Sequence, residues 1–386
     1  MHNCPLDEFN NQAESCKHVH GEYSRISTIT MMQPFCMTLL CMVSLWCVVQ
    51  AIKIQTYNVG FISFIDNYEE RKENAIRALR SGDYDVMCLQ EMWYGDDIDR
   101  LKKKLGKSIT VYTPPLYQER MFGGFLKAPP CHNAPITAAC IALKCADLAN
   151  NYAALANCTV ECGLMSESQG CITCLSVSSW TPLRCFNYWK GESINIPGVV
   201  LLSKRKVTSV KTVFFEPNVK QLSRRAYIEA EIEDVGTVFC SHSTSNANTE
   251  YYEPQLRHLY SSLAEQNLAD SRKLIEAALQ ADKPVIMGDL NTGPEIPANN
   301  ITNEFEDSYN EFLSQGFQSP YVTMVGKCTF CRKNPLVEDW EYDEVLDHVL
   351  VRNHTVLGAK RIYDQNIPGK DFPMSDHYGV EVEVGN

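Results

Sequence analysis

The stretch KPVIMGDLNTGPE, residues 283–295, decides the fold. Val285, Ile286 and Met287 form a short apolar run of the kind that makes a strand buried on both faces. The run ends in Gly288, Asp289, Leu290 and Asn291, which puts a carboxylate and an amide at the mouth of a buried strand. Turn chemistry alone explains such a pair, since Asp and Asn are frequent in turns. A site is indicated only if other strands end the same way.

They do. IKIQTYNV (52–59) alternates like a strand and ends at Asn58, and the apolar run DVMCLQE (85–91) ends at Glu91. GTVFCSH (236–242) ends at His242, and LDHVLV (346–351) has Asp347 at its start. HYGVEVEV (377–384) alternates Val380, Val382 and Val384 with Glu381 and Glu383, and Asp376 and His377 stand at its opening. Six strands thus meet polar groups of one chemical kind, with no lysine or arginine among them. Each member alone has a structural explanation: a turn, a strand end, a rim charge, a core histidine. Jointly they offer hard oxygen donors suited to Mg²⁺ or Mn²⁺, with two imidazoles and a spare carboxylate for acid and base work. That set is what hydrolysis of a phosphodiester needs, because the substrate is an anion that repels nucleophiles.

Between the strands lie helices. Ile76 and Leu79 sit at helical spacing in 67–84, which exits at Ser81-Gly82. A charged helix is predicted over 96–106, with Lys102–Lys104 as a solvated face. A long one is predicted from Pro254 to Leu279, with Leu256, Leu259, Leu263, Leu274 and Leu279 as its stripe. IPGVVLLSKRKV (196–207) and RAYIEAEI (225–232) read as further strands. No internal repeat interrupts the series.

The chain has 386 residues, 45% hydrophobic and 21% charged, which are globular values. PFCMTLLCMVSLWCVV (34–49) is apolar, short for a membrane span, and followed by Gln50-Ala51, so residues 1–51 read as a secretory leader cut near Ala51. An uncleaved signal anchor is the alternative, and Met31 or Met32 is a candidate start. After residue 51 the chain carries 33 basic and 43 acidic residues, against broad charge-driven binding of nucleic acid. Twelve cysteines remain, eight of them crowded between Cys131 and Cys185 in a block, 131–190, that breaks the strand series. Behind a secretory leader they read as disulfides, in a stapled helical insertion whose pairing the sequence leaves open. A zinc site on Cys171, Cys174, Cys328 and Cys331 is the rival reading. Cys88 and Cys240 lie inside apolar strands and read as small buried hydrophobes. Sequons at Asn157, Asn300 and Asn353 fit a secreted glycoprotein. The aromatic, Gly-rich stretch 112–127 carries Tyr112, Tyr117, Phe122 and Phe125 around Gly123-Gly124. These rings either dip into a lipid interface or pack in the core.

IQTYNV, CLQEMW, GVVLLSKRKV, SH after a strand, GDLNTGPE, LDHVL and SDHYGV follow one another in the order of the motifs of the endonuclease/exonuclease/phosphatase superfamily. The chain resembles that superfamily, which has the deoxyribonuclease-I-like fold, over about 52–127 and 196–386. Within it the chain looks most like the magnesium-dependent neutral sphingomyelinases, by LQEMW before DDIDRLKKKL, GDLNTGPE, and NPL (334–336) shortly before LDHVL. The resemblance implies an α/β four-layer sandwich of two mixed β-sheets flanked by helices, here with a Cys-rich helical insertion. It implies Glu91 as main metal ligand, with Asn58 and Asp376 beside it, and Mg²⁺ as cofactor. It implies His377 as general base positioned by Asp347, Asp289 orienting water, Asn291 donating to phosphoryl oxygens, and His242 protonating the leaving group or holding phosphate. The substrate implied is a phospholipid at a membrane surface, with nucleic acid as the alternative. No stable protein partner is expected.

Overall fold

The structure is a computed structural model that describes residues 51–63, 65–148, 152–178, 182–246, 255–337 and 341–385. Apart from Ala51, the expected leader lies outside the described residues, as do Met31, Met32 and Pro254.

In chain order the first elements are β1 (Ile52–Asn58), α1 (Tyr68–Ser81), β2 (Val86–Gln90), α2 (Gly95–Leu105), β3 (Thr110–Tyr112), β4 (Glu119–Met121) and β5 (Leu126–Ala128). The insertion holds α3 (Pro135–Lys144), α4 (Tyr152–Glu161) and α5 (Gln169–Val177). Then come β6 (Val200–Ser203), β7 (Val207–Phe214), β8 (Ala226–Ile232), β9 (Gly236–His242), α6 (Leu263–Ala278) and β10 (Pro284–Asp289). The last are α7 (Glu306–Ser314), α8 (Pro320–Met324), β11 (Phe330–Cys331), β12 (Asp343–Glu344), β13 (Asp347–Val351), β14 (Thr355–Ile362) and β15 (Gly379–Gly385).

Two sheets carry the domain. One has the order β14-β15-β1-β2-β6-β3 and the other β13-β10-β9-β8-β7. Each contains a parallel pair, β1 with β2 and β9 with β10, and its other neighbours are antiparallel. The period of two along a strand decides what each residue meets. Ile52, Ile54, Val86 and Cys88 of one sheet share an inner core with Val238, Cys240, Val285, Met287, Val349 and Val351 of the other. The alternate residues face outward: Met87 and Leu89 onto Ile76, Leu79 and Leu101 of α1 and α2, Phe239 and Ile286 onto Leu274 and Ile275 of α6. The result is the expected sandwich of two mixed sheets between helical layers.

The insertion also forms as expected, three helices stapled by Cys131–Cys171, Cys140–Cys162, Cys145–Cys158 and Cys174–Cys185. It is moored by charge. Arg184 pairs with Glu192 at 3.0 Å and Asp97 at 3.6 Å, and its guanidinium lies 3.4 Å over the Tyr94 ring. The pairing of Cys171 and Cys174 there, and of Cys328 with Cys331, leaves no thiolate for the zinc reading.

Three readings need correction. Cys88 and Cys240 are not free thiols: they form a disulfide with Cα atoms 5.3 Å apart. Both lie on inward positions of facing sheets, within the separation a disulfide spans. The run 196–207 is two strands, β6 and β7, which belong to different sheets, so the chain changes layer at Lys204–Lys206. The long helix begins at Leu263, where the Ser262 hydroxyl accepts from Glu265 N and the Glu265 carboxylate accepts from Ser261 N, a capping box displaced by one residue. Leu256 is buried in a turn and Leu259 is exposed, so neither belongs to a helical stripe.

Among the six disulfides of the described residues the inter-sheet bridge closes the longest loop, 152 residues. Replacing Cys88 and Cys240 with alanine should lower the unfolding free energy by about 2–5 kcal/mol, measured by guanidinium titration. A variant as stable as the parent would show that the bridge adds nothing to the packing around it.

Candidate active site

Strand parity brings the chemistry together. Asn58 continues the inward series 52, 54, 56, His242 the series 238, 240, Asp289 the series 285, 287, and Asp347 the series 351, 349. Register aligns the ends: Asp289 stands opposite both His242 and Asp347. Asp376 and His377 enter at the start of β15, which runs antiparallel to β1. All these groups open at one end of the sandwich.

Asp289 is the hub. Its Oδ2 accepts from Asn58 Nδ2 at 2.9 Å and lies 3.4 Å from His242 Nε2 and 3.9 Å from His377 Nε2. Its Oδ1 accepts from the backbone N–H of Asn291 at 3.1 Å. Asp347 Oδ2 lies 2.9 Å from His377 Nδ1 and fixes that ring. Asn291 holds Ser243 O through Nδ2 at 3.1 Å. Glycine is required before Asp289, because a Cβ on Gly288 would lie 2.0 Å from Ser241 O across the parallel pair. Gly60 likewise lets the chain approach Asp376, where a Cβ would meet the carboxylate at 2.4 Å. Glu91 and Asn291 adopt left-handed backbone, φ 62° and 49°. That conformation costs a residue other than glycine about 1–3 kcal/mol and persists where the surroundings enforce it.

Electrostatics divide the two histidines. His242 is buried with the Arg225 charge facing it, and both hold it well below the ordinary range, so it is neutral. His377 is also buried, yet Asp347 and Asp289 outweigh burial and raise it well above that range. Burial, then the charge of Asp347, lifts Asp289 to about 6. Burial, then the charge of Asp376, lifts Glu91 to about 8. Glu91 Oε2 has no hydrogen-bond partner. An unpartnered buried carboxylate beside a second carboxylate fits a hard divalent cation, which supplies the missing charge and takes oxygen ligands. Glu91 and Asp376 would hold it. Asn58 Oδ1 accepts from Gly60 N, which leaves one lone pair for the same purpose. Donor atoms of Asp289, Asp347 and His377 also lie within 4.8 Å of one another; hydrogen bonds within the site engage each residue, while Asp347 Oδ1, like Glu91 Oε2, has no partner.

All eight residues expected from the sequence therefore reach one end of the sandwich. Others escaped notice. Arg71 is fully buried and ties two loops, the β1–α1 connection and the one before β15, by donating to Gly60 O, Ile65 O, Asp66 O and Met374 O, while its charge faces Asp376 and Glu91. Its place on the apolar stripe of α1, four before Ala75 and eight before Leu79, was the available signal. Asn267 of α6 donates to Thr244 O and Leu290 O, joining the loops that follow His242 and Asp289. Thr329 Oγ1 accepts from the N–H groups of Leu346 and Asp347, and Phe330 packs its ring 4.8 Å from that of His377.

The geometry offers a candidate divalent-metal site beside an Asp/His pair at the mouth of a two-sheet sandwich. Residues 56–377 match the model of the endonuclease/exonuclease/phosphatase family, and the chain belongs to that family. Among solved structures it is similar to an endonuclease/exonuclease/phosphatase from Beutenbergia cavernae, with 14% identity over 87% of this chain and 72% of that one and a TM-score of 0.50. It is also similar to a family protein from Leptotrichia buccalis, 15% identical over 87% of this chain and all of that one, TM-score 0.48. A 3′-5′ exonuclease from Neisseria meningitidis is 12% identical over the same shares, TM-score 0.48. At 14% identity the likeness to the Beutenbergia cavernae protein speaks to the fold alone. No curated protein sequence matches the chain.

Two outcomes follow. Glu91 at about 8 and the raised His377 both bind protons more tightly when folded, so stability in EDTA should fall as pH rises from 6.5 to 8. The depressed His242 acts the other way only below its unfolded value of about 6.5. Thermal denaturation should show this fall and its reversal by Mg²⁺; a melting temperature that climbs over the window contradicts the charge balance. Second, Asp347→Asn should lower the His377 pKa by roughly one unit or more, read by NMR titration in EDTA. An unmoved titration would mean that Asp347 does not set the charge of the ring.

Proposed function

We propose that the protein is a secreted, Mg²⁺-dependent phosphodiesterase that hydrolyses sphingomyelin to ceramide and phosphocholine. The observation that carries the phosphodiesterase reading is the His377–Asp347 pair beside Asp289, next to Glu91, whose Oε2 is unpartnered and whose carboxyl feels the charge of Asp376. A bound divalent cation there offsets negative charge on the phosphoryl oxygens.

The chain's own residues do the rest. Asp289 and His377 hold the attacking water, and the deprotonated form of His377 takes its proton at Nε2, with Asp347 stabilising the imidazolium that results. The oxygen of water bonds to phosphorus, the bond from phosphorus to the ceramide oxygen breaks, and that oxygen is protonated from solvent. Of the two roles considered for His242, holding phosphate fits better. A neutral buried imidazole donates a hydrogen bond but has no spare proton to give. Asn291 offers an amide donor to the same oxygens.

A lipid substrate is favoured by the sphingomyelinase-like motifs and by the placement of basic residues. Arg205 pairs with Asp85 and Asp234, and Lys204 bonds to Gly82 O, at the end of the sheet away from Asn58 and Glu91. Arg332 pairs with Asp343. The Lys204–Lys206 cluster thus stands away from the site, whereas Arg225 faces His242 and Asp289 within it. Secretion is supported by the apolar leader-like stretch and by six disulfides, which persist in oxidising compartments. Asn157, Asn300 and Asn353 are all exposed, as carriers of glycans must be.

The test is release of phosphocholine from sphingomyelin by the purified secreted protein, with plasmid nicking run beside it. The expected result is Mg²⁺-dependent release, abolished by EDTA and reduced roughly a hundredfold or more in Glu91→Gln. Nicking without phosphocholine release would move the substrate to nucleic acid and end the lipid reading.

A further inference from the structure

We propose that the β4–β5 hairpin and the neighbouring loop at Trp189 form a docking surface for the headgroup region of a lipid bilayer. The four rings of the 112–127 stretch divide sharply. Tyr112 packs against the inner core and Tyr117 against the insertion. Phe122 and Phe125 stand 72% and 88% exposed at the hairpin tip, with Leu126 at 53%. Trp189 is 98% exposed, and its loop packs on the hairpin: a Cβ on Gly191 would fall 2.7 Å from Lys127 Cβ. Large apolar side chains directed at water from a hairpin and from the loop packed on it mark an interaction surface.

Charge selects the occupant. Arg120 and Lys127 face each other directly across the hairpin, and both are exposed. Like charges in that register are destabilising. An anionic group lying above the aromatic tip relieves them, and lipid phosphates occupy that level relative to inserted aromatic rings. The mature chain is otherwise acidic, which sets this patch apart.

The surface is continuous with the site. Tyr117, two residues before β4, exchanges backbone hydrogen bonds with Ile194, at 2.7 and 2.9 Å. Asn195 N donates to Trp93 O and Gly198 O accepts from Met92 N, so the same run of chain is laced to the residues that follow Glu91. Docking here holds the catalytic end against the interface from which substrate is drawn. That last step rests on the lipid reading above; docking itself does not.

The experiment is flotation with vesicles of phosphatidylcholine and sphingomyelin in EDTA, for the parent, Phe125→Asp, Trp189→Asp and the double variant. Hydrolysis of the soluble diester bis-para-nitrophenyl phosphate, with Mg²⁺, is the check on folding. The expected result is vesicle binding by the parent, a loss of roughly tenfold in each single variant and more in the double, and unchanged turnover of the soluble diester. A parent that does not bind vesicles, or a double variant that binds as well as the parent, overturns the proposal. So does a parent that self-associates through this patch while the variants are monomeric and bind vesicles equally. Binding by the parent without cleavage of sphingomyelin supports the docking surface and removes the substrate reading.

Discussion

Four carboxylates, Glu91, Asp289, Asp347 and Asp376, converge at one end of a sandwich whose interior is apolar. Burial of like charges is costly unless a counter-charge is fixed nearby. Arg71, Arg225 and a protonated His377 supply part of it, as their opposing effects on these groups show. Glu91 remains with an unpartnered oxygen and a carboxyl held near 8. That residual deficit is what a bound divalent cation would offset. The same arrangement splits two histidines by environment alone, a neutral His242 and a protonated His377.

Holding the deficit in place takes much of the remaining structure. The sheets are joined through Cys88–Cys240, so the strand ends cannot slide apart. Asn267, Thr329, Ser375 and Arg71 tie the loops behind the site by hydrogen bonds to backbone groups. Mutating them is expected to act through position, since none of them stands among the residues facing substrate. The insertion is moored separately, through Arg184 and Asp97, and lends its Trp189 loop to the rim.

Strand ends were legible because the period of two and the apolar runs fix which side chain faces inward. Asn58, His242 and Asp289 sit on the parity that the preceding residues establish. Other features were not. Whether Cys88 and Cys240 pair depends on two sheets facing each other, which no local window contains. The first half of the buried face of α6 carries Gln266, Asn267, Asp270 and Ser271 because it covers the loops after β9 and β10, and only Leu274, Ile275 and Ala278 meet the sheet, so a leucine stripe misled the reading. The run 196–207 looks uniform, yet Lys204–Lys206 marks a change of layer. Strand β14 lies on a sheet edge and lacks clean alternation, which hid it. Arg71 was masked by its own charge in a helix of charged residues.

The central claim is that a divalent cation sits between Glu91 and Asp376. Anomalous diffraction from a crystal soaked in Mn²⁺ tests it most directly. The account predicts a single strong peak ligated by Glu91 and Asp376. A peak confined to Asp289, Asp347 and His377, or none at this end of the sandwich, would contradict it.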